Sequence, residues 1–151
     1  MDLACECLVV EDDHPTQSLL RTICTRLGLQ TVVAEDGAHA IEVLRVNEPH
    51  IMLLDLLMPR VDGFEVLDFV RATHPILLKR IIVLTASNDP RFMTRVDEKS
   101  IWRFMRKPVD IEELSEEIVA CRAASMTANY RHPPLRSVSP LTDRRGRARA
   151  K

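Results

Sequence analysis

Short apolar runs recur along this chain, and each one ends in a polar group. Leu8-Val9-Val10 runs into Glu11-Asp12-Asp13, and Ile51-Met52-Leu53-Leu54 ends at Asp55. Ile81-Ile82-Val83-Leu84 ends at Thr85, and the stretch from Ile101 to Met105 leads into Arg106-Lys107-Pro108. Runs this short and this apolar fit strands covered on both faces, as in a parallel sheet. A fifth, weaker segment, Thr31 to Ala34, is rich in β-branched residues. The spacing predicts strands over residues 6–11, 31–34, 50–55, 80–84 and 101–105.

Helical periodicity fills the gaps. Pro15 stands where a helix can begin, because its missing N–H is unpaired there in any case. Leu19, Leu20, Ile23, Cys24 and Leu27 follow at helical spacing, and Gly28 closes the segment. After Gly37 the apolar stripe is Ala40, Ile41 and Leu44. After Asp62-Gly63 it is Phe64, Val66, Leu67 and Val70. Over 89–99 the stripe of Phe92, Met93 and Val96 is crowded by charge, so a short helix is expected. Asp110 is a suitable N-cap, with Glu113 at the capping-box position. Leu114, Ile118 and Cys121 complete the last stripe. Five strand-helix units in succession predict an α/β protein with a doubly wound five-stranded parallel sheet and right-handed crossovers. Ligands on such sheets bind beyond the carboxyl ends of the strands, where all the polar groups above fall.

Composition sharpens this picture at two points. The chain is 46% hydrophobic but only 4% aromatic, so the core is aliphatic, which suits an α/β domain. The net charge of −1 hides a division: from Tyr130 onward seven Lys/Arg face one acid, Asp143, a net +6. The remainder holds 14 basic and 21 acidic residues, a net −7. Residues 6–124 read as one folded domain. Residues 125–151 read as a disordered, basic, Pro/Arg-rich tail, too polar to offset its ordering entropy. That tail can meet nucleic acid or anionic lipid by charge, although a solubilising linker is the plainer reading. The cysteines (Cys5, Cys7, Cys24, Cys121) form no C-x-x-C pair and read as buried free thiols in a reducing compartment. No signal peptide and no membrane span is apparent, which points to a cytoplasmic protein.

The groups at the strand ends define a chemistry. Adjacent acids at 11–13 repel one another, and a hard divalent cation relieves that repulsion. Mg²⁺ takes a few carboxylates and keeps water or phosphate in its other positions. Asp12 and Asp55, on adjacent strands, are the natural ligands. The plainer alternative makes 11–13 solvated loop acids, one of them capping the helix near Pro15. Asp55, a lone acid in an apolar surround, can attack phosphorus to give an acyl phosphate. Lys107 and the Thr85 hydroxyl would then meet the phosphoryl oxygens.

These motifs together resemble the response-regulator receiver domain of two-component signalling. The resemblance spans residues 6–124. It rests on Val9-Val10-Glu11-Asp12-Asp13, Leu53-Leu54-Asp55 with Met58-Pro59 and Asp62-Gly63, Thr85-Ala86, and Lys107-Pro108. It implies a flavodoxin-like fold and a phosphorelay switch phosphorylated on Asp55 by a sensor histidine kinase or phosphotransfer protein. It implies Mg²⁺ held by Asp12, Asp55 and the Leu57 backbone carbonyl, with Glu11 or Asp13 nearby or acting through water. Thr85 and Lys107 would bind the phosphoryl group. Phe104 matches the aromatic switch position, with a plain core aromatic as the alternative. Output is expected by protein contact on the face formed by the fourth helix, fifth strand and fifth helix, or through a phosphorylation-dependent homodimer, since no DNA-binding domain is encoded.

This chain departs from the family pattern at three places. Lys99-Ser100-Ile101-Trp102 stands where glycine is frequent, Pro90 sits early in the fourth helix, and Leu57 is apolar. Leu57 is expected to slow water attack on the acyl phosphate. An aspartyl-nucleophile phosphatase of the haloacid-dehalogenase kind would need a second Asp at position 57. A binding module that works without phosphorylation would not need Glu11, Asp12, Asp55, Thr85 and Lys107 together.

Overall fold

The computed structural model describes residues 6–97 and 99–127. Five strands, β1 (Glu6–Val10), β2 (Gln30–Ala34), β3 (Ile51–Asp55), β4 (Ile81–Thr85) and β5 (Arg103–Arg106), form one sheet. Its order is β2-β1-β3-β4-β5, and every pairing is parallel. Between them run α1 (His14–Arg26), α2 (Gly37–Val46), α3 (Gly63–Thr73), a 3₁₀ turn (Pro75–Arg80), α4 (Pro90–Arg95) and α5 (Ile111–Thr127).

Two cores explain why β1, β3 and β4 are apolar except at their ends. Alternate residues of β1, β3 and β4 point to opposite faces, as a pleated strand requires. Leu8, Val10, Met52, Leu54, Ile81 and Val83 pack with the stripes of α2 and α3. Cys7, Val9, Ile51, Leu53, Ile82 and Leu84 pack with α1 and α5. The chain reverses its direction of winding at β1 and β3, which lie side by side at the centre of the sheet. Their carboxyl ends therefore open into the crevice where doubly wound folds bind ligands.

Several boundaries differ from those read from sequence. Arg80 belongs to the 3₁₀ turn, not to β4, and its buried guanidinium donates to the His50 carbonyl at 2.9 Å. β5 begins at Arg103, later than expected. Ile101 is instead buried in the core beside α2 and α3, and the Trp102 indole N–H donates to Glu117 of α5 at 2.9 Å. In α2 the buried aliphatic side chains are Ala40, Val43 and Leu44, so Val43 takes the place expected of Ile41. Leu19 lies on the exposed side of α1. The last helix runs to Thr127, three residues past the expected domain boundary. Cys7, Cys24 and Cys121 are buried and form no disulfide among the described residues. Cys5 and the basic tail beyond Thr127 lie outside the described residues.

Gly63 lets the start of α3 lie directly on the loop after β3. A β-carbon there would sit 2.5 Å from the Asp55 carbonyl oxygen and 2.6 Å from the Leu56 Cα. Both are backbone atoms, so neither can swing aside. Gly63→Ala is therefore expected to lower the unfolding free energy by about 1–3 kcal/mol, the usual cost of overpacking. Urea denaturation reads this directly, and an unchanged midpoint would contradict the close approach.

Candidate phosphoacceptor and metal site

Backbone ladders carry the polar residues just past each strand into register. The Glu11 N–H donates to the Ala34 carbonyl at 3.1 Å, and the Leu56 N–H to the Leu84 carbonyl at 3.3 Å. The Lys107 N–H donates to the Thr85 carbonyl at 2.7 Å. The ends of β1, β3 and β5 are thus held in register at the carboxyl edge of the sheet.

Three acids meet there. Carboxylate oxygens of Glu11, Asp12 and Asp55 all lie within 4.8 Å of one another. Glu11 is 1% exposed and Asp55 4% exposed, whereas Asp12 faces solvent. Such a set of hard oxygen donors, with one open side, fits Mg²⁺ with water or phosphate in its remaining positions. The Lys107 ammonium lies between the two buried acids, 2.7 Å from Glu11 Oε1 and 3.4 Å from Asp55 Oδ2. The Leu57 N–H donates to Asp55 Oδ1 at 3.1 Å.

Thr85 is 1% exposed at the end of β4. Its Oγ1 accepts the Ser87 N–H at 3.1 Å, and the Ser87 Oγ accepts the Asp89 N–H at 3.0 Å. Asp89 caps α4. A continuous chain of hydrogen bonds thus joins Thr85 to the start of α4. Phe104, in β5, is half-buried against the core cluster that includes α2 and α3.

Asp13 lies apart from this cluster. Its side chain caps α1, accepting the Thr16 N–H at 3.0 Å and the Thr16 hydroxyl at 2.5 Å. Those bonds hold the Asp13 carboxyl below its usual range. Of the two acids left open in the sequence, Glu11 is the one beside Asp55. The Asp13-His14-Pro15-Thr16 order carries the cap, because Thr16 lies three residues on, at the N3 position. Gln17 is a contributor the motif reading missed: its side-chain amide donates to the Glu11 carbonyl at 2.6 Å. A glutamine on a helix face gives no sequence signal for such a role.

Burial dominates the electrostatics. It pushes Glu11 up to about 7, against the opposing hydrogen bond from Lys107, while the nearby Asp55 charge adds to the rise. Burial likewise raises Asp55, opposed chiefly by the Lys107 charge. Lys107 is itself partly buried, which works against its charge, but the Glu11 and Asp55 carboxylates outweigh this and raise it. One cation is thus set against three acids.

Comparison with known proteins identifies the family. The family model of the response regulator receiver domain matches residues 7–119, and the chain belongs to that family. It is a receiver domain of a two-component response regulator with a flavodoxin-like fold. It is 32% identical over 120 residues to the Regulator of RpoS of Escherichia coli, a match covering 79% of this chain and 35% of that protein. It is 27% identical over 111 residues to sporulation initiation phosphotransferase F of Bacillus subtilis, covering 74% of this chain and 88% of that one. Among solved structures, the signal receiver domain of a signal transduction histidine kinase from Syntrophus aciditrophicus superposes with a TM-score of 0.72 at 29% identity. That match covers 80% of this chain and 92% of the other. The chain spans about a third of the length of the Escherichia coli protein. No helix among the described residues is long and apolar enough to cross a membrane.

The raised carboxyls set a pH dependence. In the folded, metal-free protein Glu11 and Asp55 keep their protons at pH values where the unfolded chain has lost them. The stability they contribute is therefore complete below the ordinary carboxylate range and falls as pH rises through about 7, the value for Glu11. Mg²⁺ competes with those protons and relieves the same repulsion. The thermal stabilisation given by saturating Mg²⁺ is expected to grow from about pH 4.5 to about pH 7, and to grow less in Glu11→Gln. A gain that is flat across this interval would contradict the arrangement.

Proposed function

We propose that this protein is a phosphoacceptor switch of a two-component phosphorelay, with Asp55 as the residue that carries the phosphoryl group. The observation that supports this most is the clustering of the buried Asp55 carboxylate with Glu11 and Asp12, 3.4 Å from the Lys107 ammonium. An oxygen of Asp55 attacks the phosphorus of a phosphohistidine on a sensor kinase or phosphotransfer protein. The P–O bond to Asp55 forms as the P–N bond breaks, and the electron pair leaves on the imidazole. When bound, Mg²⁺ neutralises charge on the transferring group. Asp12 and Asp55 would hold it, together with the Leu57 carbonyl, with Glu11 beside them.

Lys107 then turns from Glu11 toward the phosphoryl oxygens, and the Thr85 hydroxyl donates to one of them. Thr85 already accepts from Ser87, so its movement is passed to the cap of α4. Phe104 occupies the neighbouring half-buried position and is the side chain we assign to follow Thr85 inward. The face built from α4, β5 and α5 then changes its affinity for a protein partner or for a second copy. Residues 6–124 are the receiver unit in this reading.

Leu57 supports a switch over a turnover enzyme. It sits two residues past Asp55, is 43% exposed, and has no group to activate water. Acetyl phosphate with Mg²⁺ is expected to add one phosphoryl group to the wild-type chain by intact mass and none to Asp55→Asn. Equal labelling of the two would overturn the assignment of Asp55. No labelling of either would favour a module that works without phosphorylation.

The lifetime of the phosphorylated form tests Leu57. Leu57→Asn is expected to speed its decay about fivefold, which corresponds to about 1 kcal/mol of hydrogen bonding to the attacking water. An unchanged decay rate would show that Leu57 does not shield the acyl phosphate.

A further inference from the structure

The loop after β3 holds the backbone partner of Asp55, and that loop is seated on a helix outside the acid cluster. Residues 56–62 join Asp55 to α3. Leu56 and Met58 are buried in the core, whereas Leu57, Pro59 and Arg60 face solvent. The Gly63 N–H closes the far end, donating to the Leu56 carbonyl at 3.0 Å. Between these anchors the loop rests on the first turn of α2. A β-carbon on Gly37 would run into the Val61 carbonyl oxygen. It would also lie 2.6 Å from Val61 Cγ1 and 2.8 Å from the Val61 carbonyl carbon. The obstacle is largely backbone, so it cannot swing aside.

Asp36 adds a second link at the same place. Its Oδ1 caps α2 by accepting the His39 N–H at 2.8 Å, and its Oδ2 lies 3.4 Å from the Arg60 guanidinium. Arg60 has a φ of 62°, in the left-handed region that is costly for a residue with a β-carbon. The loop is therefore held in a shape it would not favour alone. The Arg60 side chain is 77% exposed, so its ion pair contributes little and the Gly37–Val61 contact does most of the holding.

What the loop presents to the site is the Leu57 N–H, 3.1 Å from Asp55 Oδ1. Asp55 Oδ2 is left 3.4 Å from the Lys107 ammonium. The rotation of the Asp55 carboxylate thus depends on where Leu57 stands, and Leu57 stands where Val61 and α2 allow. We propose that Gly37 is a positioning residue for Asp55: it lets α2 seat against Val61, fixes the loop, and through the Leu57 N–H orients the carboxylate. The consequence for Mg²⁺ rests on the proposed function, in which Asp55 and the Leu57 carbonyl hold the ion. The consequence for the Leu57 N–H does not.

Two readings test this: the Leu57 amide resonance of ¹⁵N-labelled, metal-free protein, and the Mg²⁺ dissociation constant by titration calorimetry. In Gly37→Ala the Leu57 amide proton is expected to move upfield as its bond to Asp55 lengthens. Mg²⁺ is expected to bind about tenfold more weakly, the lower end of what is lost when a partner of a metal ligand is disturbed. Val61→Ala trims the side chain seated on Gly37 and is expected to move both readings in the same direction by less. Should Gly37→Ala not fold, Val61→Ala decides alone. Val43, further along α2, is 2% exposed, so Val43→Ala lowers thermal stability by opening the core. It is expected to leave both readings at their wild-type values. A Leu57 resonance that stays in place in Gly37→Ala and Val61→Ala, or equal weakening of Mg²⁺ binding by Val43→Ala, would overturn the proposal. A displaced resonance in a protein whose wild type binds no Mg²⁺ would support the positioning role and count against the metal reading instead.

Discussion

One lysine ammonium shared by two buried carboxylates is the interaction on which the site depends. Without Lys107 the oxygens of Glu11, Asp12 and Asp55 would stand within 4.8 Å of one another with no cation among the described side chains at their centre. Burying such charges is costly unless they are paired, so Lys107 makes the acid cluster compatible with a folded core. The pairing is strained in a useful sense: Glu11 remains pushed up to about 7 despite its 2.7 Å contact with Lys107. In the proposed function Mg²⁺ would relieve that imbalance by taking up excess negative charge.

The sheet makes this convergence possible. Lys107 follows β5, Glu11 follows β1 and Asp55 ends β3, so the three belong to strands spread across most of the sheet width. Parallel register brings their carboxyl ends to one edge. The surrounding helices then tie that edge to the rest of the molecule. Gly63 lets α3 begin against the acceptor loop, and Phe64 beside it packs edge-on against Phe92 of α4, with ring centroids 5.5 Å apart. The Arg95 guanidinium lies 3.7 Å from the centroid of the same Phe64 ring. α4 is only six residues long, yet it touches the acceptor side through Phe64 and Thr85 through the Ser87-Asp89 hydrogen bonds. In the proposed function these two links would carry a change of charge at Asp55 to this short helix.

Most of the architecture was legible in the residue pattern, because buried parallel strands and amphipathic helices have different periods. The apolar runs before Glu11, Asp55, Thr85 and Lys107 placed all four groups at strand ends. What the pattern could not show was set by tertiary contact. β5 starts late because Ile101 is drawn into the core and Trp102 reaches Glu117. Arg80 reads as a strand residue, but its guanidinium satisfies the carbonyl of His50, thirty residues away in the chain. Glu11 and Asp13 are chemically alike and two positions apart. Only the direction of the chain after β1 decides that one is buried beside Asp55 and the other caps α1. Gln17 was invisible for the same reason.

The most direct measurement is a crystal structure grown with beryllofluoride, a mimic of the phosphoryl group, and Mg²⁺. The account predicts beryllium bonded to an Asp55 oxygen, the metal ion against Asp12 and Asp55, and the Lys107 ammonium and Thr85 hydroxyl turned onto the fluorides. A pocket that stays empty, or a Lys107 still fixed on Glu11 with Thr85 facing Ser87, would contradict it.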